Sequence, residues 1–90
     1  MRIFMQTQPT AKEPPRYYHL ILQQDLLGGW ILIREWGQQG SRASGKKDYF
    51  EKREVAEEAL TSARDQQLKK GFSIMFAQGM EGPLGSRYEA

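Results

Sequence analysis

Residues 25–41 read DLLGGWILIREWGQQGS, and the fold is decided there. Gly28 and Gly29 follow Asp25-Leu26-Leu27 and give the chain residues that tolerate the positive φ of a reversal. The run that follows, residues 30–36, has the composition of a strand. Ile31 and Ile33 fall on one side of it, with Glu35 at the end, and Trp30, Leu32, Arg34 and Trp36 on the other. Upstream of the turn, residues 17–24 read YYHLILQQ, again aromatic and aliphatic. Two such runs joined by a short glycine-containing loop predict an antiparallel hairpin.

Working outward, residues 1–6 contain Ile3, Phe4 and Met5 and have the make-up of a short strand. Residues 7–15 form a polar connection in which Pro9, Pro14 and Pro15 withhold backbone donors. Downstream, residues 37–45, GQQGSRASG, read as a loop, residues 46–51 as a fourth strand and residues 72–77, FSIMFA, as a last one. Between these two strands lies a helix over residues 53–70. At about 100° per residue Val55, Ala56, Ala59, Leu60 and Ala63 share an arc of about 140°, and Leu68 falls outside it. Acidic residues open this helix, Lys69 and Lys70 close it, and Gly71 suits a C-cap. No side chain presents itself as an N-cap.

Strands, one helix with a single apolar stripe and a further strand predict an α+β fold: an antiparallel β-sheet with one α-helix packed across one face. One domain covers residues 1–77, with its core in 16–77, and residues 78–90 form a flexible C-terminal tail. The aliphatic positions suit a stripe of Ala and Val, so the expected packing sets Val55, Ala59, Leu60 and Ala63 on Ile31, Ile33 and Leu20. That assignment leaves the positions mixing rings with Arg34 and His19 to face water or a partner. Taken singly, Trp30 reads first as a core residue and His19 as a structural or surface one. Trp36, at a strand end before a glycine, is open to either reading.

Composition removes several function classes. The chain has 90 residues, no cysteine and one histidine, which excludes cysteine nucleophiles and Cys-ligated zinc and leaves little acid–base chemistry. No carboxylate or histidine cluster has metal-ligand spacing. No apolar run approaches the ~18 residues of a membrane span, so a soluble, cytoplasmic, non-enzymatic protein without cofactor or metal is expected. Residues 40–46, GSRASGK, match the spacing of a phosphate-binding loop, but Lys47 stands where Ser or Thr should hold magnesium, and a strand follows where a helix is required. The formal net charge is only +2. Its distribution is uneven: Arg34, Arg42, Lys46, Lys47, Lys52 and Arg53 face only Glu35, Asp48 and Glu51, while the helix brings Glu54, Glu57 and Glu58.

The stretch DLLGGWILIREWGQQGS resembles the core of the WGR domain, named for a Trp-Gly-Arg tripeptide after a strand. Trp36-Gly37 match its first two positions, and Gly40 matches a glycine that follows shortly after. Gly28-Gly29-Trp30, Arg34-Glu35, Glu57-Glu58-Ala59 and Lys69-Lys70-Gly71-Phe72 resemble the bacterial, molybdate-metabolism-regulator-like branch. The resemblance implies a non-catalytic module that binds nucleic acid, DNA above all, as WGR domains of poly(ADP-ribose) polymerases help bind DNA ends. The alternative is a protein-interaction module using the same sheet face. The candidate contact residues are Trp36, Arg34, Gln38, Arg42, Lys46 and Lys47. Gln38 departs from the family arginine; it supplies hydrogen bonds but no charge.

Overall fold

A computed structural model describes residues 1–79. The elements are β1 (Arg2–Gln6), β2 (Arg16–Gln24), β3 (Trp30–Gln38), β4 (Ser44–Phe50), α1 (Arg53–Lys69) and β5 (Ser73–Gln78). The five strands form one antiparallel sheet in the order β4-β3-β2-β1-β5. The chain leaves β4 at one edge and must enter β5 at the other. Helix α1 makes that crossing: its 17 residues span about 25 Å at ~1.5 Å per residue, enough to run diagonally over the sheet. The α+β architecture inferred from the sequence is therefore the observed one. The proposed tail begins at Gln78, which closes β5; beyond residue 79 it lies outside the described residues.

The β2–β3 hairpin forms where the glycine pair places it. Asp25 holds the turn together: its N–H donates to the Gly29 carbonyl (2.7 Å), its carbonyl accepts from Gly28 (3.1 Å), and its Oδ1 accepts the Leu26 N–H at 2.9 Å. The glycine-rich stretch after Trp36 is shorter as a loop than its composition suggests. β3 continues through Gln38 and β4 starts at Ser44, so Gly37 and Gly45 are strand residues. The first strand is no peripheral element. β1 lies between β2 and β5, and Ile3 and Met5 are fully buried.

Which face the helix covers is the main departure from the sequence expectation. The buried set is Ile3, Met5, Leu20, Leu22, Leu32, Ala56, Leu60 and Ala63. Leu20 pairs with Arg34 and Leu22 with Leu32, whereas Ile33 pairs with Ile21. Leu20 thus shares its face with Trp30, Leu32, Arg34 and Trp36, and this ring-bearing face is the one beneath α1. Ile31 and Ile33 lie on the opposite face, half-buried and without a helix over them. The physical reason is volume. A stripe of alanines is thin, so bulky sheet residues, Trp30, Leu32 and Tyr18 among them, must supply the contact that a close-packed interior requires. The helix is also rotated from its expected phase. Val55 is 46% exposed, Ala59 packs at the core margin, and the buried stripe continues through Arg64 and Gln67. Leu68 is exposed, as its place outside the arc implied.

The helix ends in a well-formed cap. Phe72 N–H donates to the Gln67 carbonyl (3.1 Å) and Gly71 N–H to that of Leu68 (3.2 Å), with Gly71 at φ 99°. This is the Schellman arrangement, which an L side chain at Gly71 would strain. It turns the chain into β5 and swings Phe72 onto Tyr18, the rings meeting edge to face at 6.2 Å. At the other end Lys52 occupies the N-cap without a side-chain cap bond, as expected, and the Arg53 guanidinium lies 5.2 Å from the Trp30 ring centroid.

Candidate nucleic-acid interface

The start of β2, the end of β3 and the C-terminal end of α1 converge at one end of the molecule. Between them lies an open groove of about 590 Å³, lined by Arg16, Tyr18, Trp36, Gly37, Gln38, Gln66, Gln67, Lys70 and Phe72. Its floor is aromatic. Tyr18 and Trp36, paired across β2 and β3, stack at 5.6 Å with planes 11° apart, and Phe72 closes on Tyr18 from the helix side. Its rims are cationic: Arg16 and Lys70 are exposed, and neither is in an ion pair among the described residues. Gln38, Gln66 and Gln67 add amides that both donate and accept.

The space after Trp36 is tight. A Cβ on Gly37 would sit 3.2 Å from the Tyr17 hydroxyl and 3.4 Å from the Arg42 carbonyl oxygen. The backbone there lies close between β2 and the β3–β4 turn, and a Cβ would require the Tyr17 hydroxyl to move by a few tenths of an ångström. Gln38 is tied down from behind: its Nε2 donates to the Pro14 carbonyl (3.3 Å), and the Gln39 N–H donates to that of Pro15 (3.0 Å). The proline segment therefore buttresses the residue that stands in the arginine position of the tripeptide.

The six residues singled out from the sequence separate in space. Trp36 and Gln38 line the groove, whereas Arg42 is exposed in the β3–β4 turn and is not one of the lining residues. Arg34 and Lys46 lie further along the helix-side face, both engaged by Asp48: Arg34 Nη2 to Oδ2 at 3.4 Å and Lys46 Nζ to Oδ1 at 3.8 Å. Arg34 is the more enclosed of the two, and its Nε is buried with no hydrogen-bond partner. Lys47 opposes Ile33 on the other face of the sheet, so Lys46 and Lys47 point apart. Arg16, Lys70 and Phe72 also line the groove and are not among the residues that the sequence singles out. Lys70 and Phe72 flank the C-cap glycine, and that cap was the signal for where they sit. His19, grouped with Arg34 in the sequence reading, lies instead on the helix-free face, edge-on to Phe4 at 5.6 Å. Burial, and then the charge of Arg2, push its pKa below the ordinary value of 6.5, against a smaller opposing pull from Glu35.

The phosphate-loop match also meets its structural test. Residues 40–46 lead into β4 rather than into a helix, so no helix N-terminus is present to receive a phosphate. A larger trough of about 760 Å³ runs along the outer side of α1, but Glu54, Glu57, Glu58 and Asp65 line it, which makes it the wrong sign for a polyanion.

A WGR domain family model matches residues 1–75. The chain belongs to the WGR domain family. The match spans β1 through α1 and enters β5, so it covers every element that builds the groove. WGR domains are small non-catalytic modules that commonly bind nucleic acid. No curated protein and no solved structure matched the chain. Among the described residues no helix is long and apolar enough to cross a membrane.

Proposed function

We propose that this WGR domain is a non-catalytic nucleic-acid-binding module that takes its ligand, DNA in the first instance, at the Trp36 end of the sheet. The observation that carries the reading is the stacked Tyr18–Trp36 pair in a groove with free cations on both rims. A nucleotide needs an aromatic surface for its base or sugar and positive charge for its phosphate, close together. Trp36 contacts the base or sugar, Arg16, Lys70 and Arg42 meet phosphates, and Gln38 bonds to polar edges. Arg34 and Lys46 form a second tier, since each must first be shared with Asp48. Lys47 faces away and contributes through the general field alone.

Fluorescence anisotropy with single-stranded, duplex and nicked DNA, at low and at moderate salt, tests the reading. Binding that weakens when Arg16 and Lys70 are both changed to alanine supports the groove. Folded protein that binds neither DNA nor RNA at low salt removes the nucleic-acid reading. A protein partner is better served by the other side of the sheet, where apolar side chains are exposed.

A further inference from the structure

An antiparallel sheet with one face in water normally places polar residues there. The helix-free face of this sheet carries Arg2, Gln23, Glu35 and Lys47, yet apolar side chains are interspersed among them on every strand. Ile21 and Ile33 sit side by side across β2 and β3, and Ile31 is next along the same face of β3. Tyr49, opposite Ile31 on the β4 edge, is 67% exposed, and Phe76, opposite Phe4 on the β5 edge, is 47% exposed. Apolar side chains thus occur on this face from one edge strand to the other, with Gln23, His19, Glu35 and Arg2 among them. β2 and β3 carry apolar residues on both sides, the pattern of strands covered on both faces. We infer that this face is a homodimer interface, on which the same face of a second copy stacks sheet to sheet. The inference is independent of the nucleic-acid reading, which concerns the opposite face.

Charge complementarity selects a second copy over other occupants. Lys47, Ile33, Ile21 and Arg2 form one row across the sheet, and Glu35 lies in the next row with His19 and Phe4. A two-fold axis between the rows, perpendicular to the strands, lays each copy's Glu35 over the other's Ile33 beside Lys47, and each Phe4 over the other's Arg2. Both contacts are favourable, so the patch complements itself. A polyanion would meet Glu35 in the middle of the face, and among the described strand residues only Arg2 and Lys47 as cations on it. In extent, five strands spaced ~4.8 Å apart and ~25 Å long give roughly 500 Å² in projection. That is below the ~800 Å² per partner of a standard interface, so the dimer dissociates on dilution. Sheets stacked ~10 Å apart leave both helices, and both Trp36 grooves, on the outside.

Sedimentation equilibrium of the 90-residue chain from about 10 µM to about 1 mM covers the range that such a small interface demands. The expected result is an average mass that rises with concentration toward twice that of one chain. Ile33→Asp should hold the protein at one-chain mass throughout. Tyr49→Lys, at a position too exposed to affect folding, should weaken association by about tenfold. Val55→Asp, on the outer side of the helix, should leave the wild-type profile unchanged. Circular dichroism confirms that each variant is folded. A single one-chain species at about 1 mM overturns the inference, as does a dimer that both Ile33→Asp and Tyr49→Lys leave intact.

Discussion

His19 shows how one side chain ties the open face to pH. Its ring packs on Phe4, its Nε2 is buried without a hydrogen-bond partner, and burial foremost, with Arg2 second, holds its pKa below 6.5. Above pH 6.5 the ring is neutral in the folded and the unfolded chain, and stability is unaffected. As pH falls through 6.5 the unfolded chain takes up a proton that the folded chain still refuses, so stability drops until the folded pKa is passed. Thermal melts between pH 7 and pH 5 should therefore show a falling Tm, and His19→Gln should flatten that slope. An unchanged slope in the variant would place the titrating group elsewhere. Trp36 makes the complementary case at the other end of the sheet. With Tyr18 already on its ring, Trp36→Ala should cost about 1–3 kcal/mol of binding to a stacked nucleotide and leave the salt dependence nearly unchanged. Circular dichroism separates that loss from unfolding. Gln38→Arg restores charge at a position buttressed by Pro14, so a gain in affinity for DNA ends is the expected outcome. At this scale the sequence was legible for Trp36, a late residue of β3, but not for Gln38, which reads as a loop residue and which β3 extends to include. It was illegible for Arg34, because alternation along β3 says nothing about Asp48, the residue on β4 that engages it.

Among the elements, α1 carries the clearest lesson about phase. Val55, Ala56, Ala59, Leu60 and Ala63 fit one arc, yet the buried side is set by Ala56, Leu60, Ala63, Arg64 and Gln67. The arc drawn from apolar residues alone was skewed toward the N-terminal turn, because Arg64 and Gln67 are polar and carried no weight in it. Here the last two turns of the stripe are made of buried polar side chains, Arg64 at 4% and Gln67 at 7% exposed, and Arg64 is paired with Asp65. Two substitutions distinguish the expected phase from the observed one. Leu60→Ala should cost about 2–5 kcal/mol, as large-to-small changes in a packed core do. Val55→Ala should stay within about 0.5 kcal/mol, since the residue is half in solvent and alanine favours a helix. For a domain of this size the first change should lower Tm by about 8 °C or more. Equal effects would mean that Val55 is as much a core residue as Leu60. The hairpin needed no such correction, because its turn is specified locally by Asp25 and the two glycines, all within five residues.

For the whole molecule, pattern alone left undecided which side of the sheet faces the helix. Both sides of β3 are apolar enough to be buried, and the choice rests on how an alanine-lined helix fills space, a property of the assembled layers. That choice splits the basic residues between the two faces, and the split sets how binding should respond to salt. If Lys46 and Lys47 acted together as one basic loop, neutralising both would remove about two phosphate contacts. On this fold Lys47 is on the far face and Lys46 is shared with Asp48, whereas Arg16 and Lys70 line the groove and Arg42 is exposed in the β3–β4 turn. Three to four phosphate contacts give a slope of log affinity against log salt of roughly −3. Changing Arg16 and Lys70 to alanine should bring that slope down by about two and weaken all sequences alike. Changing Lys46 and Lys47 should bring it down by less than one, with most of the effect from Lys46. A titration of both double variants at four or five salt concentrations decides the matter. If the Lys46/Lys47 pair shows the larger change, the nucleic acid follows the β4 edge, and the groove at Trp36 is not its main contact.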